Sequence, residues 1–110
     1  AVKFINRKIK IFKDSPDIGE LYLKLCEIFR DAGEFDPSVK AATKVIEMEN
    51  ISRGYQGRAL LERAKTYMKM GQMEKAVEDV NEVILNYTDI SWLIRSAKHL
   101  QEKLKNPDPG

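Results

Sequence analysis

One pattern, written twice around a glycine, constrains this chain more than any other feature. Counted back from Gly33 and from Gly71, a large residue stands eleven places earlier (Tyr22, Leu60), a small one seven earlier (Cys26, Ala64) and an aromatic four earlier (Phe29, Tyr67). Beyond the glycines come Phe35 and Met73, Ser38 and Ala76, Ala42 and Val80, then Val45 and Val83. Large matches large and small matches small, so the chain reads as a repeated structural unit.

Apolar residues fall at three- and four-residue steps: Ile18, Leu21, Tyr22, Leu25, Ile28 and Phe29; Val39, Ala42, Val45 and Ile46; Leu60, Leu61, Ala64, Tyr67 and Met68; Met73, Ala76, Val77, Val80, Val83 and Ile84. Each series is the buried stripe of an amphipathic helix, and strand signals are almost absent. Ser15 before Pro16 and Asp17 reads as a helix start. The hydroxyl caps free amides, proline has no amide to leave unbonded, and the acid suits the positive end of the helix dipole. Asp36 before Pro37 repeats the device. Gly33 and Gly71 supply the left-handed residue that ends a helix, and Asn106, Pro107 and Pro109 close the last one. The expected fold is all-α, with six helices near 2–13, 16–32, 36–48, 53–70, 73–87 and 90–105.

With 110 residues, 43% of them hydrophobic and 33% charged, the chain can build one globular domain with a modest core. No apolar run approaches the roughly 20 residues a bilayer requires, so membrane insertion is not expected, and the charged start AVKFINRKIKIFK lacks the apolar centre of a secretory signal. Cys26 is the single cysteine, which rules out an internal disulfide and a multi-cysteine metal site. Its isolation favours a reducing compartment, and the cytoplasm is the expected location. The formal net charge of +2 hides blocks: residues 1–13 carry five bases and no acid, residues 14–50 nine acids and four bases, and the remainder ten bases and eight acids.

The doubled pattern resembles the tetratricopeptide repeat, a helix-turn-helix unit of about 34 residues with small side chains where paired helices cross. In a copy from Gly57 to Ile90, the motif places hold Leu60, Ala64, Tyr67, Gly71, Ala76, Val80 and Val83. Arg63 stands there where Leu is usual, and the closing proline is missing. A copy from Gly19 to Ser52 matches with Tyr22, Leu25, Cys26, Phe29, Gly33, Phe35, Ala42 and Val45, with Ser38 in place of the usual Ala. The two glycines lie 38 residues apart. About four residues beyond one repeat therefore fall near ENISRGYQG, as a longer connection or an extension of the following helix. The resemblance implies antiparallel helix pairs stacked as a short right-handed superhelical solenoid forming one domain over residues 1–110. Residues 1–15 would be the second helix of a preceding repeat, 16–52 and 53–89 two repeats, 90–105 a capping helix and 106–110 a tail. His99, Gln101, Glu102 and Lys103 suit the outer face of such a cap.

Members of that family hold segments of partner proteins in a concave groove lined by the first helix of each repeat. Carried over place by place, the groove positions would be Glu20, Leu23, Glu27, Arg30 and Asp31 in the first repeat. They would be Arg58, Leu61, Lys65, Met68 and Lys69 in the second, and Trp92, Arg95 and His99 on the cap. One end is acidic and apolar, the other basic with an aromatic, which fits a peptide whose acidic portion or carboxylate lies near Lys65, Lys69 and Arg95. The family's chaperone-binding members clamp a terminal carboxylate with Lys and Asn. Here the corresponding first-repeat places hold Leu23 and Glu27, which argues against that role. For any single charge, a solvated helix face is the plainer reading.

Trp92 would be a binding anchor if exposed, but Leu93 and Ile94 beside it favour packing. Met68, Met70 and Met73 read as core filling rather than an adaptable surface, and Cys26, at a place that wants a small side chain, reads as a buried inert thiol. Catalysis has little support. His99 lacks a base or metal partner, no phosphate-binding glycine loop is present, and Glu78 with Glu82, one turn apart, has no further ligand. The expected function is a non-catalytic protein-interaction or scaffold module with no cofactor and no metal, binding a partner peptide or helix. Two alternatives stand beside it. Lys3, Arg7 and Lys10 along one side of the first helix would suit phosphate contact, although the small net charge disfavours nucleic acid. Phe4, Ile5, Ile9 and Phe12 form an apolar side that a missing helix or another copy should cover, a route to a homo-oligomer.

Overall fold

The computed structural model describes residues 2–15 and 17–105. Among them the chain is all-α and has no strand: α1 (Val2–Ile11), α2 (Ile18–Asp31), α3 (Phe35–Ile46), α4 (Arg53–Lys69), α5 (Met73–Asn86) and α6 (Ser91–Lys105). Pro16, Asn106, Pro107 and Pro109, read above as punctuation, lie outside the described residues.

The two glycines do the same work twice. Gly33 and Gly71 both have φ 78°, and no atom lies within 4 Å of where a Cβ would stand, so backbone conformation alone selects glycine. After α2 the Glu34 amide donates to the Phe29 carbonyl (2.8 Å) and the Gly33 amide to the Arg30 carbonyl (3.0 Å). After α4 the Gln72 amide donates to Tyr67 (2.9 Å) and the Gly71 amide to Met68 (3.1 Å). These paired bonds satisfy helix-end carbonyls and turn the chain into the next helix.

Helix starts depart from expectation for local reasons. The Ser15 hydroxyl accepts from the Asp17 amide (3.1 Å) and its carbonyl from the Ile18 amide (3.1 Å). That turn delays α2 to Ile18. α3 begins at Phe35, so Asp36 is not its cap; it lies with Pro37 in the first turn, where amides have no intrahelical partner to lose and a carboxylate favours the dipole. The surplus residues of the second copy extend α4, which has 17 residues against 14 in α2. Ser52 caps that extension by accepting from the Tyr55 amide (3.3 Å). The Gln56 side-chain amide donates to the carbonyls of Met48 (2.9 Å) and Ile46 (3.3 Å), tying the end of α3 to α4.

Each helix packs on its sequence neighbour, and in addition α2 touches α4 and α4 touches α6. The even-numbered helices thus form one layer of a slab measuring 42 × 33 × 17 Å. Close approach within the layer depends on a second pair of glycines. A Cβ on Gly19 would fall 3.1 Å from the Tyr55 ring, and one on Gly57 would fall 2.3 Å from Leu93 Cδ1. Tyr55 and Leu93 are separated by the same 38 residues as the glycines they cover, so the crossing is repeated with its register intact.

The largest core cluster joins α4, α5 and α6 through Leu60, Leu61, Ala64, Val80, Val83, Leu93 and Leu100. Each fully buried leucine or valine contributes about 1.5–3 kcal/mol over its exposed state. A second cluster, around Leu25, Cys26 and Ala42, receives Val2, Ile5 and Ile9 from α1. The apolar side read on the first helix is therefore divided. Ile5 and Ile9 face α2 and are half-buried, while Phe4, Ile11 and Phe12 are 60%, 67% and 50% exposed.

Arg63, at the place where Leu was expected, is accommodated by an acid on the neighbouring buried stripe. Its guanidinium donates two hydrogen bonds to the Asp79 carboxylate (2.8 and 2.7 Å) and a third to the Thr43 hydroxyl (3.1 Å). The paired carboxylate holds the guanidinium pKa above its ordinary value despite partial burial.

Candidate functional site

A groove of 540 Å³ runs between α4 and α6. Its α4 wall presents Arg58, Leu61, Glu62 and Lys65, which lie at steps of three and four and so share one helix face. Its α6 wall presents Trp92, Arg95, Ser96, His99 and Lys103, again at helical steps, with Leu93 and Leu100 at the base. Leu61, Leu93 and Leu100 are buried, so the floor is apolar and the rim polar.

Charge is distributed unevenly around the rim. Arg58 reaches Glu20 of α2 (2.8 Å), and Lys65 donates to Glu62 (2.9 Å). Glu62 also receives Arg30 of α2 (3.0 Å), whose guanidinium further donates to the Glu62 carbonyl (3.2 Å). Burial pushes the Glu62 carboxyl up, but the Lys65 ammonium and the Arg30 guanidinium together outweigh it and hold the group below its usual range. Among the described residues, no carboxylate pairs with Arg95 or Lys103. The α6 rim therefore offers two cations with unspent charge beside the half-exposed indole of Trp92, which is 47% exposed.

Of the positions read from sequence, Arg58, Leu61, Lys65, Trp92, Arg95 and His99 come together here. Others do not. Leu23, 3% exposed, is not presented to solvent; it packs with Val45 and Ala59, where the small Ala59 lets α2 and α4 approach. Met68 packs against the α4–α6 core, and Arg30 is buried on Glu62. Glu27, Asp31 and Lys69 are exposed but line no part of this groove.

Trp92 corrects the packing expectation. Leu93, Ala97 and Leu100 form the buried stripe of α6, and Trp92, one residue off that stripe, is rotated out of the core. Met73, at the first turn of α5, is likewise 45% exposed rather than core filling. Lys103, expected on a cap's outer face, lines the groove instead, beside His99, for which both an outer-face and a groove position are expected. The steps from Trp92 through Ser96 and His99 to Lys103 carried that signal. Glu62 was missed altogether, because nothing in the sequence separates a carboxylate on the groove side from a solvated one. Cys26 is fully buried, and burial raises its thiol pKa, as suits an inert side chain.

Among the described residues, no group of three or more His, Cys, Asp and Glu side chains is placed to hold a metal ion. No described helix is long and apolar enough to cross a membrane.

No protein-family model matches the chain, and no solved structure does. Among curated proteins, the chain is similar to the peptidyl-prolyl cis-trans isomerase CYP7 of Saccharomyces cerevisiae, 28% identical over 78 residues. That stretch is 71% of this chain but 17% of the yeast protein, so the chain spans a small part of its relative's length.

Proposed function

We propose that this chain is a tetratricopeptide-like, non-catalytic interaction module that seats an acidic, partly apolar segment of a partner protein in the α4–α6 groove. The observation that carries the reading is the combination of Arg95 and Lys103, which have no carboxylate partner among the described residues, with an exposed Trp92 over the Leu61 and Leu93 floor. Leucine or isoleucine side chains of the segment fill the floor, and its carboxylates meet the two cations, with Lys65 and His99 at hand. Large rigid aromatics at a groove centre dominate interface energetics, and complementary charge orients the segment and speeds encounter. The mirrored glycine turns and crossings support the repeat assignment, as does the single layer of α2, α4 and α6, two of whose helices line the groove. The isomerase activity in the name of the yeast relative stays with that protein, since the likeness covers so little of it.

Trp92 is the only tryptophan, so its fluorescence reports groove occupancy directly. A peptide alternating glutamate with leucine should shift the emission and saturate, while a lysine and leucine counterpart should not. Arg95→Glu with Lys103→Glu should weaken the acidic peptide by about tenfold or more, about 1.4 kcal/mol. Equal affinity for both peptides, or no effect of the substitutions, would remove this reading.

A further inference from the structure

The outward faces of α1 and α5 are complementary in both charge and apolar content. α1 packs on α2 through Val2, Ile5 and Ile9, which leaves Phe4 and Ile11 at the centre of its exposed face. Lys3, Arg7 and Lys10 flank that centre on one side and Lys8 on the other, with the Lys8 ammonium 4.7 Å from the Phe4 ring centroid. α1 carries no acid.

The outward face of α5 is mainly acidic, and its one base, Lys75, lies 5.6 Å from the Tyr67 ring centroid. Ala76, Asp79, Val80 and Val83 point inward. Glu74, Glu78 and Glu82 stand one turn apart on the exposed side, beside the exposed Met73, Val77 and Leu85, the last 73% exposed. Among the described residues, none of these bases or acids has an ion-pair partner. Two helices thus present apolar side chains interleaved with unspent charge of opposite sign, repeated at the same three- and four-residue steps. Within one molecule they do not touch: α1 contacts α2 alone, and α5 contacts α4 and α6.

We propose that α1 of one copy docks on α5 of a second copy, a head-to-tail contact that buries Phe4 and Ile11 against Val77 and Leu85 while Arg7 and Lys8 meet Glu74, Glu78 and Glu82. An α1-to-α1 pairing would set like charges together. The α1-to-α5 contact neutralises both faces, and because the two surfaces differ, a pair of copies keeps one α1 face and one α5 face free and the assembly can grow. This contact leaves the α4–α6 groove open and does not rest on the peptide-binding reading.

The test is sedimentation velocity over a concentration series, with circular dichroism confirming helicity of every variant. The 110-residue chain should associate at low salt and come apart near 1 M salt, where charges are screened beyond about 3 Å. An α1 variant (Arg7→Glu, Lys8→Glu) and an α5 variant (Glu74→Lys, Glu78→Lys) should each stay monomeric. Mixed, the two should associate again, because each then offers the sign the other lacks. Association of the α5 variant alone would point to an α1-to-α1 contact and overturn the proposal. So would a mixture that stays monomeric, or a parent chain that is monomeric at all concentrations and binds only added polyanion.

Discussion

The Ser38 hydroxyl of α3 lies 2.9 Å from the Thr66 hydroxyl of α4, both fully buried, at the point where α2, α3 and α4 meet. Ser38 spends its one proton on the Cys26 carbonyl (2.7 Å), so its oxygen accepts from Thr66, with the Cys26 thiol 3.3 Å away. A serine where the tetratricopeptide resemblance implies alanine is tolerated because its polar atom is fully bonded. Ser38→Ala should cost no more than about 1 kcal/mol, the net worth of one hydrogen bond. Ser38→Val adds bulk at a packed crossing and should cost about 1–3 kcal/mol. Urea unfolding compares the two, and a larger loss for alanine than for valine would contradict this account.

The Arg63 and Asp79 pair invites the opposite treatment of one partner and of both. Asp79→Ala leaves a half-buried guanidinium with only Thr43 and should cost about 3 kcal/mol. Replacing both, Arg63→Leu with Asp79→Ala, restores the apolar side chain the pattern expects and should recover most of that loss, since a well-packed apolar substitute often equals a buried ion pair. Thermal unfolding of the single and double variants measures the recovery. A double variant no more stable than Asp79→Ala would show that the ion pair itself is required.

Legibility followed the physics of each element. The helices were readable because apolar stripes and glycine stops are local signals, whereas the crossings of Gly19 with Tyr55 and Gly57 with Leu93 keep the 38-residue register but emerge only from how closely the helices approach. Leu23 and Trp92 were harder. Whether a residue at the edge of a stripe turns in or out depends on how closely the next helix approaches, and a small side chain such as Ala59 decides that from another part of the chain. The ion pairs Arg30 with Glu62 and Arg63 with Asp79 join residues far apart in sequence. A charged residue on a buried stripe, as Asp79 is beside Ala76 and Val83, was the one hint available.

The glycines of α4 should respond oppositely to alanine. At Gly54 a Cβ would meet the Trp92 ring at 3.4 Å, an ordinary contact, so Gly54→Ala should gain about 0.5–1 kcal/mol from reduced chain entropy. At Gly57 the same methyl would collide with Leu93 at 2.3 Å, and Leu93 is fully buried. The propensity gain is then outweighed, and Gly57→Ala should cost about 1–2 kcal/mol net of it. Gly71→Ala, with open space but a left-handed backbone, should lose about 1–2 kcal/mol for conformation alone. Melting temperatures of the three variants check the order, and a stabilised Gly57→Ala would mean that α6 shifts freely on α4.

Glu62 links stability to pH. Its carboxyl is held low in the folded chain, so the unfolded chain takes up the proton first as pH falls. The stabilisation it contributes is complete above the unfolded carboxylate range, near pH 4.3, and is lost as pH drops through the lower folded value. Glu62→Gln removes that titration and leaves Arg30 with the Glu62-position carbonyl but no counter-charge, so the variant should be less stable at neutral pH. The gap between parent and variant should narrow steadily below about pH 4, because the parent then loses the same charge. Urea midpoints taken from neutral pH down to about pH 3 measure the gap, and a difference that stays constant across that range would show that Arg30 and Lys65 do not stabilise the ionised form of Glu62.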